Sequence, residues 1–226
     1  MEELVAHVAR AAKRRMLLAT GFVLAIVGTA ALAAPVVQQA GGPKGLVQNA
    51  DFTQQMVAPE VTQQLVWRGA DIDGDGQADF ANPTGQTTRE SDAYGHGEFG
   101  ASRDGGSRRH EGVDFIADAG QQVISPISGY VTKIGAAYAN DSSLKFVEIT
   151  NPALRYVARV FYIDPEVQVG QAVRLGQRIG AHETLERKYP GGMTDHVHLE
   201  IIDTRGARID ATRLITARYE TVVVRG

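Results

Sequence analysis

The chain of 226 residues contains two short blocks with the residue types of a metal centre: "RRHEGVDF", with His110 and Asp114, and "TDHVHLEI", with His196 and His198. Imidazole nitrogen and carboxylate oxygen are donors that zinc accepts, and a catalytic zinc site uses three protein ligands and leaves a fourth position for water. Three of these four side chains could hold such an ion. In "HVH" the period of two along a strand turns both histidines to one face, so that one can ligate while the other works beside it. In the first block, Gly112 and the β-branched "VDFI" point to a loop entering a strand. Each block alone also has an ordinary reading, as a solvated His/Asp pair or as a strand whose histidines bond to the backbone. Together they favour a metal.

There is no cysteine, which excludes thiolate ligands, disulfides and a cysteine nucleophile. The net charge of -3 speaks against a polycationic nucleic-acid binder, and 43% hydrophobic residues over this length can bury one main core. Residues 1–34 read as a signal peptide or a membrane anchor: a basic segment ending in "AAKRR" precedes an uncharged hydrophobic helix over 16–34, with "ALA" as a cleavage site. The protein is therefore expected to be exported, periplasmic or extracellular, and held at the inner membrane if that segment is retained. Membrane contact is expected only through it.

The residues that bear the chemistry need elements to position them. Residues 35–66 read as a linker with a short helix around 58–66, residues 67–92 as a calcium-loop-like segment, and residues 93–226 as the globular domain. That domain shows β-type runs broken by Gly, Pro and Asn: "GVDFIA", "QQVISP", "GYVTKIG", "KFVEITN", "RYVARVFYI", "QAVRLGQRIG", "HVHLEII" and "YETVVVRG". The one helical pattern is a turn at 182–188, "HETLERK", in which His182 reads as solvated. The expected class is mostly β, with antiparallel strands and tight turns.

In "DIDGDGQADF", Asp71, Asp73, Asp75 and Asp79, with Gly76, fit positions 1, 3, 5, 9 and 6 of a calcium loop, and Gln77 would lend its backbone carbonyl at position 7. Position 12 is Asn82 where a bidentate Glu is usual, so weak binding of structural Ca²⁺ is expected; the competing reading is a solvated Asp/Gly turn. His96 reads as an exposed loop residue. The basic cluster "RDGGSRRH" reads as a solvated loop, or as an aid to binding an acidic wall polymer.

With H-x₃-D followed by H-x-H, the chain resembles the lysostaphin-type (LytM-like) zinc endopeptidases from about Tyr94 to about Leu214. "HEGVDF", "QQVISPISGYV", "VQVGQAVRLGQRIG" and "HVHLEI" carry the likeness. The resemblance implies the antiparallel β-sheet architecture of that family, with Zn²⁺ held by His110, Asp114 and His198 and with His196 as the catalytic histidine. It implies an exported zinc metalloendopeptidase acting on peptide cross-links of peptidoglycan. Two departures stand out. "KYPGGMTD" replaces the family's glycine-rich approach to H-x-H and resembles a secreted vertebrate branch of it, and "RVFYI" places Tyr162 where active members carry a second catalytic histidine. A phenol with a pKa near 10 can donate a hydrogen bond to an oxyanion but cannot serve as a base at neutral pH. The resemblance therefore also implies an alternative, a zinc-binding module that cleaves weakly or not at all and binds cell-wall peptides or a protein ligand.

Overall fold

The computed structural model describes residues 60–224, and the readings made for the N-terminal segment lie outside them. The strands are β1 (Glu60–Gly69), β2 (Ser91–Asp92), β3 (Gly95–His96), β4 (Ser102–Arg103), β5 (Arg108–Arg109), β6 (Val113–Ile116), β7 (Gln122–Ile124) and β8 (Gly129–Tyr138). They continue as β9 (Asp141–Asn151), β10 (Tyr156–Pro165), β11 (Ala172–Val173), β12 (Arg178–His182), β13 (His196–Ile202), β14 (Arg208–Ile209) and β15 (Ile215–Val224). All the pairings between them are antiparallel, and the mostly β class is as expected.

The main sheet runs β11-β8-β9-β10-β12-β7, with β13 pairing β10, β14 and β6. Alternation along β13 decides which way the site faces. Val197, Leu199 and Ile201 are fully buried in the core with Phe115, Ile149, Ile163 and Ile215, whereas His196, His198 and Glu200 point to the other face. Each such aliphatic side chain contributes about 1.5–3 kcal/mol on burial, so a one-residue slip that exchanged the two faces would be prohibitive.

β10 forks. Its first half pairs with β13 as far as Phe161↔His198, and its last residues, from Ile163, pair with β12. Against β9 the register passes from Phe161↔Phe146 to Ile163↔Lys145, which leaves Tyr162 as a bulge in the left-handed region at φ 66°. For a non-glycine residue that conformation costs about 1–2 kcal/mol, which the surrounding pairing must offset.

Two sequence expectations fail. The segment read as a helix around 58–66 is, from Glu60, strand β1, paired with β15 over ten residue pairs. Pairing with a partner some 150 residues away overrides the local pattern, which no short window can register. At 182–188, His182 ends β12, and the residues after it make a single turn in which Lys188 N and Tyr189 N both donate to Leu185 O at 2.9 Å. His182 itself is buried and not solvated.

Candidate metal centre

β6 and β13 lie side by side with Asp114 directly opposite His198, which brings the two blocks of the sequence together on one face. His110 stands in the turn that leads into β6. Gly112 permits the close approach: a Cβ there would come within 2.5 Å of Leu199 O and 2.7 Å of His198 Cε1. The contacts of His110 Nε2 with His198 Nδ1 (2.9 Å) and with Asp114 Oδ1 (3.1 Å), and of His198 Nδ1 with Asp114 Oδ1 (2.9 Å), make a tight triangle of donor atoms. Tetrahedral ligands of a zinc ion stand roughly 3.3 Å apart, so this donor set fits the metal in both chemistry and spacing.

Hydrogen-bond partners assign the tautomers. His110 Nδ1 donates to Glu98 O at 2.7 Å and leaves the Nε2 lone pair in the triangle. His198 turns Nε2 toward Glu200 Oε1 at 3.6 Å, the carboxylate support that metal-binding histidines commonly have. Glu200 is in turn held by Arg208 (3.0 Å) and Arg159 (3.4 Å). Asp114 Oδ2 accepts from Arg89 Nη2 at 2.8 Å and from Nε at 3.2 Å. Burial alone would raise the Asp114 carboxyl, but the surrounding imidazoles, His196 beside it and His110 and His198 hydrogen-bonded to it, hold it well below the usual range. Burial likewise disfavours charge on His198, yet the hydrogen bonds of Asp114 and Glu200 push its pKa up to about 9.

His196, on the same face, is not in the triangle; its Nε2 lies 3.6 Å from Asp114 Oδ1. Its Nδ1 donates to Thr194 O at 2.7 Å, so a lone pair faces the centre. Burial pushes its pKa down to about 4 against the pull of Asp114, and the ring is neutral near pH 7. Tyr162 meets His196 edge-on, with ring centroids 5.4 Å apart. Its hydroxyl lies 3.0 Å from that of Tyr138, to which Tyr189 donates at 2.9 Å. Burial pushes the Tyr162 phenol up to about 12. A groove of about 330 Å³ opens over these groups, with Tyr94, Tyr138 and Tyr189 on one side and Arg103 and Arg108 among its other lining residues.

Sequence reasoning missed Arg89, Glu200, Tyr138, Tyr189 and the position of His182, and it noted Arg103 only as part of the basic cluster "RDGGSRRH". Glu200 was within reach, since it continues the period of two in "HVHLE"; nothing in "TTRESD" marks Arg89. His182 Nδ1 donates to Tyr162 O at 3.0 Å, and Glu183 N donates to the same oxygen at 2.8 Å, so the pair clamps the bulge. His182 Nε2 is buried without a partner, 3.8 Å from Asp195 Oδ1. His182→Leu is expected to lower stability by about 0.5–1.5 kcal/mol in urea denaturation. His182→Asn, whose amide N–H can stand in for Nδ1–H, should keep most of it; equal losses in both would refute the clamp.

In the aspartate run, carboxylate oxygens of Asp71, Asp73 and Asp79 lie within 4.8 Å of one another. Asp75 is not in that group and accepts from Gln77 N at 2.8 Å. Asn82 is buried elsewhere, where it accepts from Thr84 N and Gly85 N and donates to Gln86 O. It anchors a turn, which explains an Asn at that position without a calcium ion.

The model of Peptidase family M23 matches residues 108–211. The chain is 28% identical over 129 residues to Leukocyte cell-derived chemotaxin-2 of Mus musculus, over 55% of this chain and 79% of that protein. It is 32% identical over 124 residues to Myeloid protein 1 of Gallus gallus, over 54% of this chain and 36% of that protein. Among solved structures it is similar to a zinc containing peptidase from Vibrio cholerae (TM-score 0.44, 24% identity, 59% of this chain and 39% of that one). It is also similar to the catalytic domain of the antimicrobial peptidase lysostaphin from Staphylococcus simulans (TM-score 0.39, 20% identity, 54% and 89%).

Proposed function

We propose, on the premise that residues 108–211 are a Peptidase family M23 domain, that the protein is an exported zinc metalloendopeptidase that hydrolyses peptide cross-links of peptidoglycan. The observation that carries this is the donor triangle of His110, Asp114 and His198 beside an uncoordinated, neutral His196. Zinc, when bound, polarises a peptide carbonyl and makes water a nucleophile near neutral pH. His196 Nε2 accepts the proton of the attacking water and passes it to the departing amine nitrogen. Thr194 O keeps the ring in the tautomer that this requires. With Tyr189 donating to Tyr138, the Tyr138 proton is available to Tyr162, and the Tyr162 proton to the carbonyl oxygen as charge builds there.

The zinc-loaded chain, incubated with isolated cell-wall sacculi and with a glycine-rich peptide, is expected to release peptides in a reaction that a chelator stops. A second reading, a zinc-bound module that recognises a wall peptide or protein without cleaving it, is favoured by Tyr162. If the wild type is silent and Tyr162→His cleaves, that second reading replaces the first. A structural calcium ion at Asp71, Asp73 and Asp79 is supported by their convergence. Calcium at ten times its Kd is then expected to stabilise the fold by about 1.4 kcal/mol, an effect absent in Asp71→Ala. A thermal denaturation series in calcium measures it, and equal response of both proteins would dismiss the ion.

A further inference from the structure

Strand β4 carries a cation for which the chemistry above has no use. The Arg103 side chain, 13% exposed, reaches into the groove and ends with Nη2 3.7 Å from Asp114 Oδ2. Nη2 donates to His96 O at 2.6 Å and Nη1 to Ser102 O at 3.2 Å. These bonds fix the plane of the guanidinium but neutralise none of its charge. Neighbouring carboxylates are committed elsewhere. Asp114 Oδ2 already receives both N–H groups of Arg89, Asp92 pairs with Arg89 at 2.6 Å, and Asp104 pairs with Arg108 at 3.0 Å. The ion pair recorded for Arg103 is the long one to Asp114, on an oxygen that it shares with Arg89. A divalent cation on the other oxygen of Asp114 would leave this corner of the groove more positive still. A largely buried, immobilised guanidinium whose carboxylate contact is long and shared suits an anionic ligand, and the planar fork matches a carboxylate.

We propose that Arg103 is a specificity-determining residue that receives a carboxylate of the substrate, so that the groove takes peptide acids. The inference rests on the metal centre holding a peptide carbonyl, as proposed above. The carboxylate received is one that the substrate carries close to the carbonyl held at the centre, since Arg103 lines the same groove.

The test compares acetyl-Gly-Gly-Gly bearing a free carboxylate with its C-terminal amide, by calorimetric titration of the zinc-loaded full chain. The wild type is expected to bind the acid about 10–100-fold more tightly than the amide. R103Q is expected to lose that margin with unchanged zinc content and unchanged affinity for the amide; R103K, which keeps the charge without the fork, keeps part of it. Equal binding of acid and amide by the wild type, or no binding of the acid, overturns the proposal. Loss of zinc in R103Q overturns it too, because Arg103 would then act only through Asp114. If R103Q does not fold, the comparison in the wild type still decides. Binding is read without turnover: a chain that prefers the acid but leaves sacculi intact upholds Arg103 and refutes the peptidase, and cleavage with no preference does the reverse.

Discussion

Asp114→Ala is expected to abolish zinc binding and, in chelator, to lower the stability of the metal-free fold by about 3 kcal/mol. The two effects come from the two oxygens of one carboxylate. Oδ1 is a corner of the donor triangle, and a site reduced to two imidazoles does not retain zinc through dialysis. Oδ2 is the partner of Arg89, and the side chains of that pair are 3% and 2% exposed. Breaking a buried pair by removing one partner costs about 3–5 kcal/mol because a charge is stranded. Asp92 still meets Arg89 at 2.6 Å, which sets the expectation at the lower end of that range. His110→Ala should lose zinc as completely with a much smaller loss in chelator, since it strands no charge. Metal analysis after dialysis and urea denaturation in chelator separate the two variants. Full zinc stoichiometry in Asp114→Ala would remove it from the ligand set.

His196→Ala is expected to lower the rate of peptide release by about 10²–10⁴ while zinc content stays at the wild-type level. The geometry requires this split. His196 Nε2 lies outside the triangle, 3.6 Å from Asp114 Oδ1, while the other two imidazoles at the centre, those of His110 and His198, belong to the triangle. His198→Ala should lose both zinc and activity. Tyr162→Phe removes a donor and no base, so it should cost about 10²–10³ in rate. Zinc stoichiometry and turnover on one peptide, measured side by side, settle the assignment. Loss of zinc in His196→Ala would show that the ring ligates, whereas an unchanged rate would leave the proton transfer without an agent.

Much of the centre was legible in the sequence because its geometry is local. The period of two in "HVH" depends on one strand, and the β-branched residues after Gly112 are enough to mark the next. All eight β-type runs proved to contain strands for the same reason. What stayed hidden depends on residues far apart in the chain. β1 is a strand because β15 pairs with it, and Arg89 matters because a fold 25 residues later sets Asp114 against it. His182 looked like part of a helical turn, since the polar sequence after it gives no sign that Tyr162 O would need a donor there. In the aspartate run the spacing matched a calcium loop, and Asp71, Asp73 and Asp79 do converge, while Asp75 and Asn82 bond to the backbone of their own turns.

The fork in β10 bears on how such a site can change over evolutionary time. Where the strand leaves β13 for β12, Tyr162 has no ladder partner, and its carbonyl is secured by His182 and Glu183 from the side. The main chain at this point is therefore specified by neighbours that never touch the ring. A mutation of residue 162 can alter the chemistry offered to a ligand while the sheet on both sides keeps its register. Such a position is permissive for drift between a cleaving and a merely binding protein, in either direction, without passing through an unfolded intermediate sequence.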